Sequence, residues 1–230
     1  MSEKLSAKPQ KKNWSLSKII VFDTETTGLP GVGEIIEIGA IKYNKAGQKY
    51  KIVEIFNERI KPLTDFWSEQ AAQTHQIKKE QLKNCRTIHQ VLPDFLKFLD
   101  PDYIVAGHRI GFDCTFIRDF CAVVNLPFPK NPVLDTYKIA VKILEIDKIL
   151  AKRNFKKNFD LHLKDLIKYY NVTYTLGNHH RAYVDALTTA EVFFKMKNGL
   201  KFSQMLPEYF DTLQYALLKK LVKENKTNAN

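Results

Sequence analysis

One feature restricts this chain more than any other. A short apolar run, Ile19-Ile20-Val21-Phe22, passes without a break into Asp23-Thr24-Glu25. Three β-branched residues and a Phe together predict a buried strand. Thr26-Thr27-Gly28-Leu29-Pro30-Gly31 then ends it with turn-forming residues. Side chains two apart on a strand point to the same side, so Asp23 and Glu25 can face one ligand. Two like charges at the end of an apolar strand repel, and burial penalises their ionisation; a divalent cation between them resolves both problems. Taken alone, the pair is explained more simply as an acidic strand end facing solvent.

The rest of the chain reads as alternating elements. Two further strands fall near 34–43 and 50–60, with a hairpin turn signal over Asn44–Gly47. Ile88, Val91, Leu92, Phe95 and Phe98 or Leu99 recur at helical spacing and predict a helix over 86–99. Tyr103 to Ala106 is a short buried strand. Phe116, Ile117, Phe120, Cys121 and Val124 share one face of a helix over 113–125. Further helices are expected near 134–151, 161–170, 183–197 and 207–224. Strands first, then strands alternating with helices, define an α/β fold with a mixed sheet flanked by helices. Residues 1–17, with Lys4, Lys8, Lys11 and Lys12, read as a disordered basic arm; 18–198 as the ordered domain; and 199–230 as a helical extension.

Charge and cysteine usage narrow the class. Thirty-six Lys and Arg against twenty-five Asp and Glu leave a net charge of +11. A basic excess raises the local concentration of polyanions and favours a nucleic-acid partner, although a surface kept basic for solubility gives the same number. Cys85, Cys114 and Cys121 are odd in number and form no C-x-x-C pair, which suits reduced thiols in a cytoplasmic protein better than a disulfide framework or a zinc site. No leader-like apolar stretch and no run of 18 apolar residues occurs, so no membrane segment is expected.

Two more acids complete a pattern. Asp113 closes His108-Arg109-Ile110-Gly111-Phe112-Asp113 and opens a helix after the Tyr103–Ala106 strand. Asp185 closes His180-Arg181-Ala182-Tyr183-Val184-Asp185, early in a helix whose buried face is expected to carry Val184, Leu187, Val192 and Phe194. Each has an ordinary explanation, a helix-start Asp in the first case and a solvated helix residue in the second. Asp-x-Glu-Thr-Thr-Gly-Leu, Gly-His-x(3)-Phe-Asp and His-x(4)-Asp, in that order, resemble the three motifs of the DEDD (DnaQ-like) 3′–5′ exonuclease superfamily. The resemblance runs from Lys18 to Asn198, with lesser echoes at Glu34–Ala40 and Leu134-Asp135-Thr136.

The resemblance implies a ribonuclease H-like fold and a two-metal phosphodiester hydrolase. Asp23, Glu25, Asp113 and Asp185 would hold two divalent cations, Mg²⁺ or Mn²⁺. One branch places Tyr four residues before the last Asp, where this chain has Arg181. The other places His five before it, where His180 stands and would accept the proton of the attacking water. Five helical residues rotate by about 140°, so His180 belongs to a loop or to the approach to the helix rather than to the face of Asp185. Thr26, Thr27, Leu29, His75 and His108 are the implied substrate contacts. The family's usual Gly after the His of Ala72-Gln73-Thr74-His75-Gln76-Ile77 is Gln76 here, and its frequent Asn after His108 is Arg109, which could hold a phosphate.

Thr26 stands where the oligoribonuclease branch usually has Met, so the chain is closest to the epsilon-type proofreading branch. Single-stranded DNA is then favoured over RNA as substrate. An exoribonuclease, or a non-catalytic nucleic-acid-binding module, is the alternative. Lys138, Lys142, Lys148, Lys152, Arg153, Lys156 and Lys157 form a basic stretch that could track a strand backbone or be a solvated helix face. The amphipathic segment 201–230 could dock on a DNA polymerase, on a second copy, or on its own domain.

Overall fold

The computed structural model describes residues 15–151, 161–173, 180–196 and 208–209. The arm over 1–14, most of the basic stretch from 152 onward, His179 and most of the C-terminal extension lie outside the described residues. No described helix is long and apolar enough to cross a membrane.

Strand β1 (Lys18–Thr26) is the strand read from the apolar run, and it continues through both carboxylates. It pairs antiparallel with β2 (Ile35–Ala46), which turns at Gly47 into β3 (Lys49–Lys61). Gly47 takes φ +63°, a conformation that glycine adopts without steric cost, and the turn falls at the end of the predicted Asn44–Gly47 window because β2 runs on to Ala46. On its other side β1 pairs parallel with β5 (Ile104–Gly107), and β5 with β6 (Pro132–Asp135). With β4 (Arg86–Thr87) beside β3, and β7 (Glu208–Tyr209) beside β6, the order is β4-β3-β2-β1-β5-β6-β7.

β1 is the middle strand, and its alternation builds two cores. Ile20 and Phe22 face a cluster completed by Val91, Leu92 and Phe95 of α2 (Ile88–Phe98) and by Cys114, Phe116 and Ile117 of α3 (Gly111–Val123). Ile19 and Val21 face the opposite cluster, which holds Ile139 and Ala140 of α4 (Thr136–Ala151), Leu166 of α5 (Leu163–Tyr169), and Ala186, Ala190 and Phe193 of α6 (Ala182–Met196). A strand apolar on both faces is what a sheet covered by helices on both sides requires.

Several sequence expectations need correction. The helix expected from 134 starts at Thr136, and Pro132–Asp135 ahead of it is a strand, where a short apolar run carried no period to separate the two. The helix expected over 207–224 is, at Glu208 and Tyr209, an edge strand paired to β6; the remainder lies outside the described residues. Helix α1 (Glu69–His75), capped by the Ser68 side chain, was not anticipated, because its polar sequence EQAAQTH has no apolar period. The buried face of α6 is Ala182, Ala186, Thr189, Ala190 and Phe193, together with Val192, whereas Val184, Leu187 and Phe194 are only partly buried.

The reason for that last difference is Gly39. It stands directly across β1 from Asp23, and α6 rests on it: a Cβ there would lie 2.0 Å from the Tyr183 nitrogen and 2.3 Å from the Ala182 carbonyl carbon. Where the helix comes that close to the sheet, it can present only small residues to it. The larger side chains spread to the flanks, where Phe194 stacks on Tyr50 at 4.1 Å.

Candidate active site

Alternation along β1 puts Asp23 and Glu25 on the α6 side. The seat at Gly39 then brings the first turn of α6 over them. Carboxylate oxygens of Asp23, Glu25 and Asp185 all lie within 4.8 Å of one another. Asp113, from α3, is buried, and its Oδ1 accepts hydrogen bonds from the Thr24 amide at 2.9 Å and the Thr24 hydroxyl at 2.6 Å. An all-oxygen, acidic donor set of this kind suits a hard divalent cation.

The electrostatics are those of crowded, buried acids, which the Arg181 charge offsets only in part. Burial, then the charge of Asp185, pushes Glu25 up to about 9. Burial also pushes Asp113 up to about 7, against the pull of its Thr24 hydrogen bonds. Asp23 is raised well above the usual carboxylate range by burial and next by Asp113. Each of these groups resists ionisation in the protein alone, and a bound cation would reverse that.

A fifth acid, Glu37, faces Glu25 across the β1–β2 pair and is fully buried. Its carboxylate is held by two arginines and a backbone amide. Arg181 donates to it through Nε at 3.0 and 3.1 Å and Nη2 at 2.6 Å, the Ala182 amide at 2.9 Å, and Arg59 Nε at 3.4 Å. The bidentate Arg181 pair fixes the chain immediately before α6. His180 sits in that approach at φ +65°, exposed, outside the helix as its spacing required. His180 and Asp185 border a cavity of about 380 Å³ with His162, Lys164 and Ile167. Glu37 was missed as a site residue in the sequence. Its signal was there, an acidic residue inside an apolar strand, but its arginine partner is remote in sequence.

The remaining expected contacts divide. A second cavity, about 250 Å³, is lined by Glu25, Thr26, Gly28, Leu29, His75 and Phe112, among others. Leu29 is 58% exposed at its rim, and the Thr26 hydroxyl donates to the Gly28 carbonyl. Thr27 does not face this cavity: it is fully buried, and its hydroxyl accepts from the Glu34 amide. The Glu34 carboxylate in turn accepts from the Leu63 and Thr64 amides at 2.7 Å each, so the 27–34 and 62–68 loops are tied together.

His75 Nδ1 accepts from the Ile77 amide at 2.9 Å, which leaves the ring proton on a buried Nε2 without a hydrogen-bond partner, and burial lowers its pKa. His108 lines neither cavity. Its Nδ1 lies 3.0 Å from Thr136 Oγ1, its Nε2 is buried without a hydrogen-bond partner, and burial lowers its pKa to about 4. Gln76 and Arg109, the two departures from the family pattern, both take φ +55°, where Gly and Asn are the easy residues. The Arg109 guanidinium stacks 4.6 Å from the Tyr137 ring, and its amide donates to Asp135 Oδ1.

Sheet order, the two helical layers and the acid cluster together define a nuclease of the ribonuclease H-like α/β class. The RNase_T exonuclease family matches residues 20–193, and the chain belongs to that family of 3′–5′ exonucleases, in its His-containing branch. Among curated proteins it is 34% identical over 210 residues to the PolC-type DNA polymerase III of Thermotoga maritima, covering 87% of this chain but only 14% of that polymerase. Among solved structures, E. coli exonuclease I in complex with a dT13 oligonucleotide matches 79% of this chain and 41% of its own, at TM-score 0.65 and 17% identity. Exonuclease X in complex with 5′-overhanging duplex DNA matches 82% and 96%, at TM-score 0.57 and 24% identity. The chain is a hydrolytic nuclease of a family that uses divalent metals.

Proposed function

We propose that this protein removes nucleotides one at a time from the 3′ end of single-stranded DNA, with two divalent cations, Mg²⁺ or Mn²⁺, held by Asp23, Glu25, Asp113 and Asp185. The observation that carries the proposal is the convergence of Asp23, Glu25 and Asp185 oxygens within 4.8 Å, beside a cavity able to receive a chain end. Bound there, the cations would supply an activated water and neutralise charge developing on the phosphate.

The protein's own groups do the rest. His180, exposed on the approach to α6, accepts the proton of the attacking water. The cavity from Thr26 to Phe112 receives the terminal nucleotide, with Leu29 at its rim and His75 in its wall. His108 and Thr27 support the surrounding loops from within rather than touching the strand.

DNA is favoured over RNA because the matching polymerases copy DNA. The same relatives support a proofreading or repair role and association with a DNA polymerase; self-association through 201–230 has no support. A replication role and three free cysteines suit a cytoplasmic protein. An exoribonuclease with the same site is the alternative.

The test is incubation with 5′-labelled single-stranded DNA and RNA of one sequence, with Mg²⁺ or Mn²⁺, with EDTA, and with Asp23→Ala and His180→Ala. Products shortening from the 3′ end, faster on DNA and abolished by EDTA and by Asp23→Ala, are expected, with His180→Ala slowed about a hundredfold or more. A folded protein that shortens neither polymer would overturn the proposal, and faster shortening of RNA would transfer it to the alternative.

A further inference from the structure

The four acids do not come from one side of the sheet. Ile19, Val21, Asp23 and Glu25 alternate onto the face covered by α6, which carries Asp185. Ile20, Phe22 and Thr24 alternate onto the face covered by α2 and α3, and Asp113 belongs to α3. Asp113 is thus the one acid that must approach from the opposite layer, and it stands outside the tight oxygen group that Asp23, Glu25 and Asp185 form.

What ties it to the strand is Thr24, the residue between Asp23 and Glu25. Its amide and hydroxyl both donate to Oδ1 of Asp113, at 2.9 and 2.6 Å, in buried surroundings. Both Thr24 donors fall on Oδ1, so neither of them occupies Oδ2. Any residue at this position would supply the amide. The hydroxyl is particular to the side chain, and a β-branched residue on a strand holds it in few rotamers.

We infer that Thr24 is the positioning residue for the fourth acid: its hydroxyl carries Asp113 across the end of β1 and so sets the affinity of the weaker of the two divalent cations. The inference rests on the four-acid reading of the site. Residues that orient a ligating carboxylate are worth about 10–100-fold in metal affinity. Thr24 acts through Asp113 and not on the cation itself, so its contribution must vanish when Asp113 cannot ligate.

Calorimetric titration of the full chain with Mn²⁺, without nucleic acid, reads this directly, alongside the Mg²⁺ concentration for half-maximal activity. Thr24→Val keeps the shape and the amide and removes the hydroxyl; Thr24→Ala serves if it does not fold, and Thr24→Ser restores the donor. The expected result is a weaker Mn²⁺ step loosened about tenfold in Thr24→Val, with the tighter step unchanged and Thr24→Ser close to wild type. The double variant with Asp113→Asn should be no weaker than Asp113→Asn alone. If Asp113→Asn weakens binding but folded Thr24→Val or Thr24→Ala does not, or if the two changes add, the assignment of Thr24 is wrong. If Asp113→Asn itself leaves Mn²⁺ binding unchanged, the four-acid reading fails first.

Discussion

Replacing Gly39 with Ala is the sharpest perturbation of the architecture that assembles this site. The added Cβ would lie 2.0 Å from the Tyr183 nitrogen, 2.3 Å from the Ala182 carbonyl carbon and 2.4 Å from the Tyr183 Cα. Non-bonded heavy atoms settle at about 3.5–4.0 Å, so α6 must withdraw by on the order of 1.5 Å. The obstruction is helix backbone, which cannot step aside as the tip of a side chain can. Overpacking of this kind costs about 1–3 kcal/mol, and for a chain of this size each kcal/mol lowers Tm by about 2–4 °C, so a fall of about 2–12 °C is expected. The same shift moves Asp185 away from Asp23 and stretches the 2.9 Å bond between the Ala182 amide and Glu37. A misplacement of about 1 Å at a reacting centre costs about a hundredfold in rate. Thermal unfolding, Mn²⁺ titration and kcat on a labelled oligonucleotide, the last measured well below the variant's Tm, give all three numbers. A Gly39→Ala protein with wild-type Tm would refute the close seat. One with a lowered Tm but unaltered metal binding and kcat would refute the idea that the seat positions Asp185.

Two other outcomes follow from the electrostatics. Glu37→Gln removes the charge that Arg181 and Arg59 meet in a buried setting, and should destabilise the protein by about 3 kcal/mol in urea denaturation; a loss under about 1 kcal/mol would show that water, not Glu37, satisfies Arg181. In metal-free protein, Glu25 at about 9 and Asp113 at about 7 are raised above their unfolded values, so their protonated forms favour the fold. Their stabilisation is complete below about pH 4 and is lost as pH rises toward about 9, by at most about 1.4 kcal/mol per pH unit for each proton. The Tm of EDTA-treated protein should therefore fall from pH 5 to 9, while the rise in Tm on adding Mg²⁺ should grow; a flat EDTA profile would contradict the crowding of the acids.

The chain by itself determined the elements with strong patterns. The apolar run ending in Asp23-Thr24-Glu25, the 3.6-residue spacing of α2 and α3, and the order of the three acidic motifs were legible because each is a local signal, confined to a few residues. The position of His180 off its helix was legible too, because five residues cannot share a helical face. Gln76 and Arg109, two of the residues with left-handed backbone, could be noticed as departures from the family pattern, but not as strained positions.

What only the tertiary structure decided is how distant segments meet. That α6 would bury its alanines rather than Val184, Leu187 and Phe194 depends on a glycine in another strand. That Thr27 and His108 would turn inward depends on Glu34 and Thr136 waiting for them. That Glu37 would receive the bidentate arginine, and not its cross-strand neighbour Glu25, depends on where Arg181 lands. Helical and strand periods report which face of an element is apolar, but the approach distance between two faces is set by both partners at once, and so appears only when they are packed together.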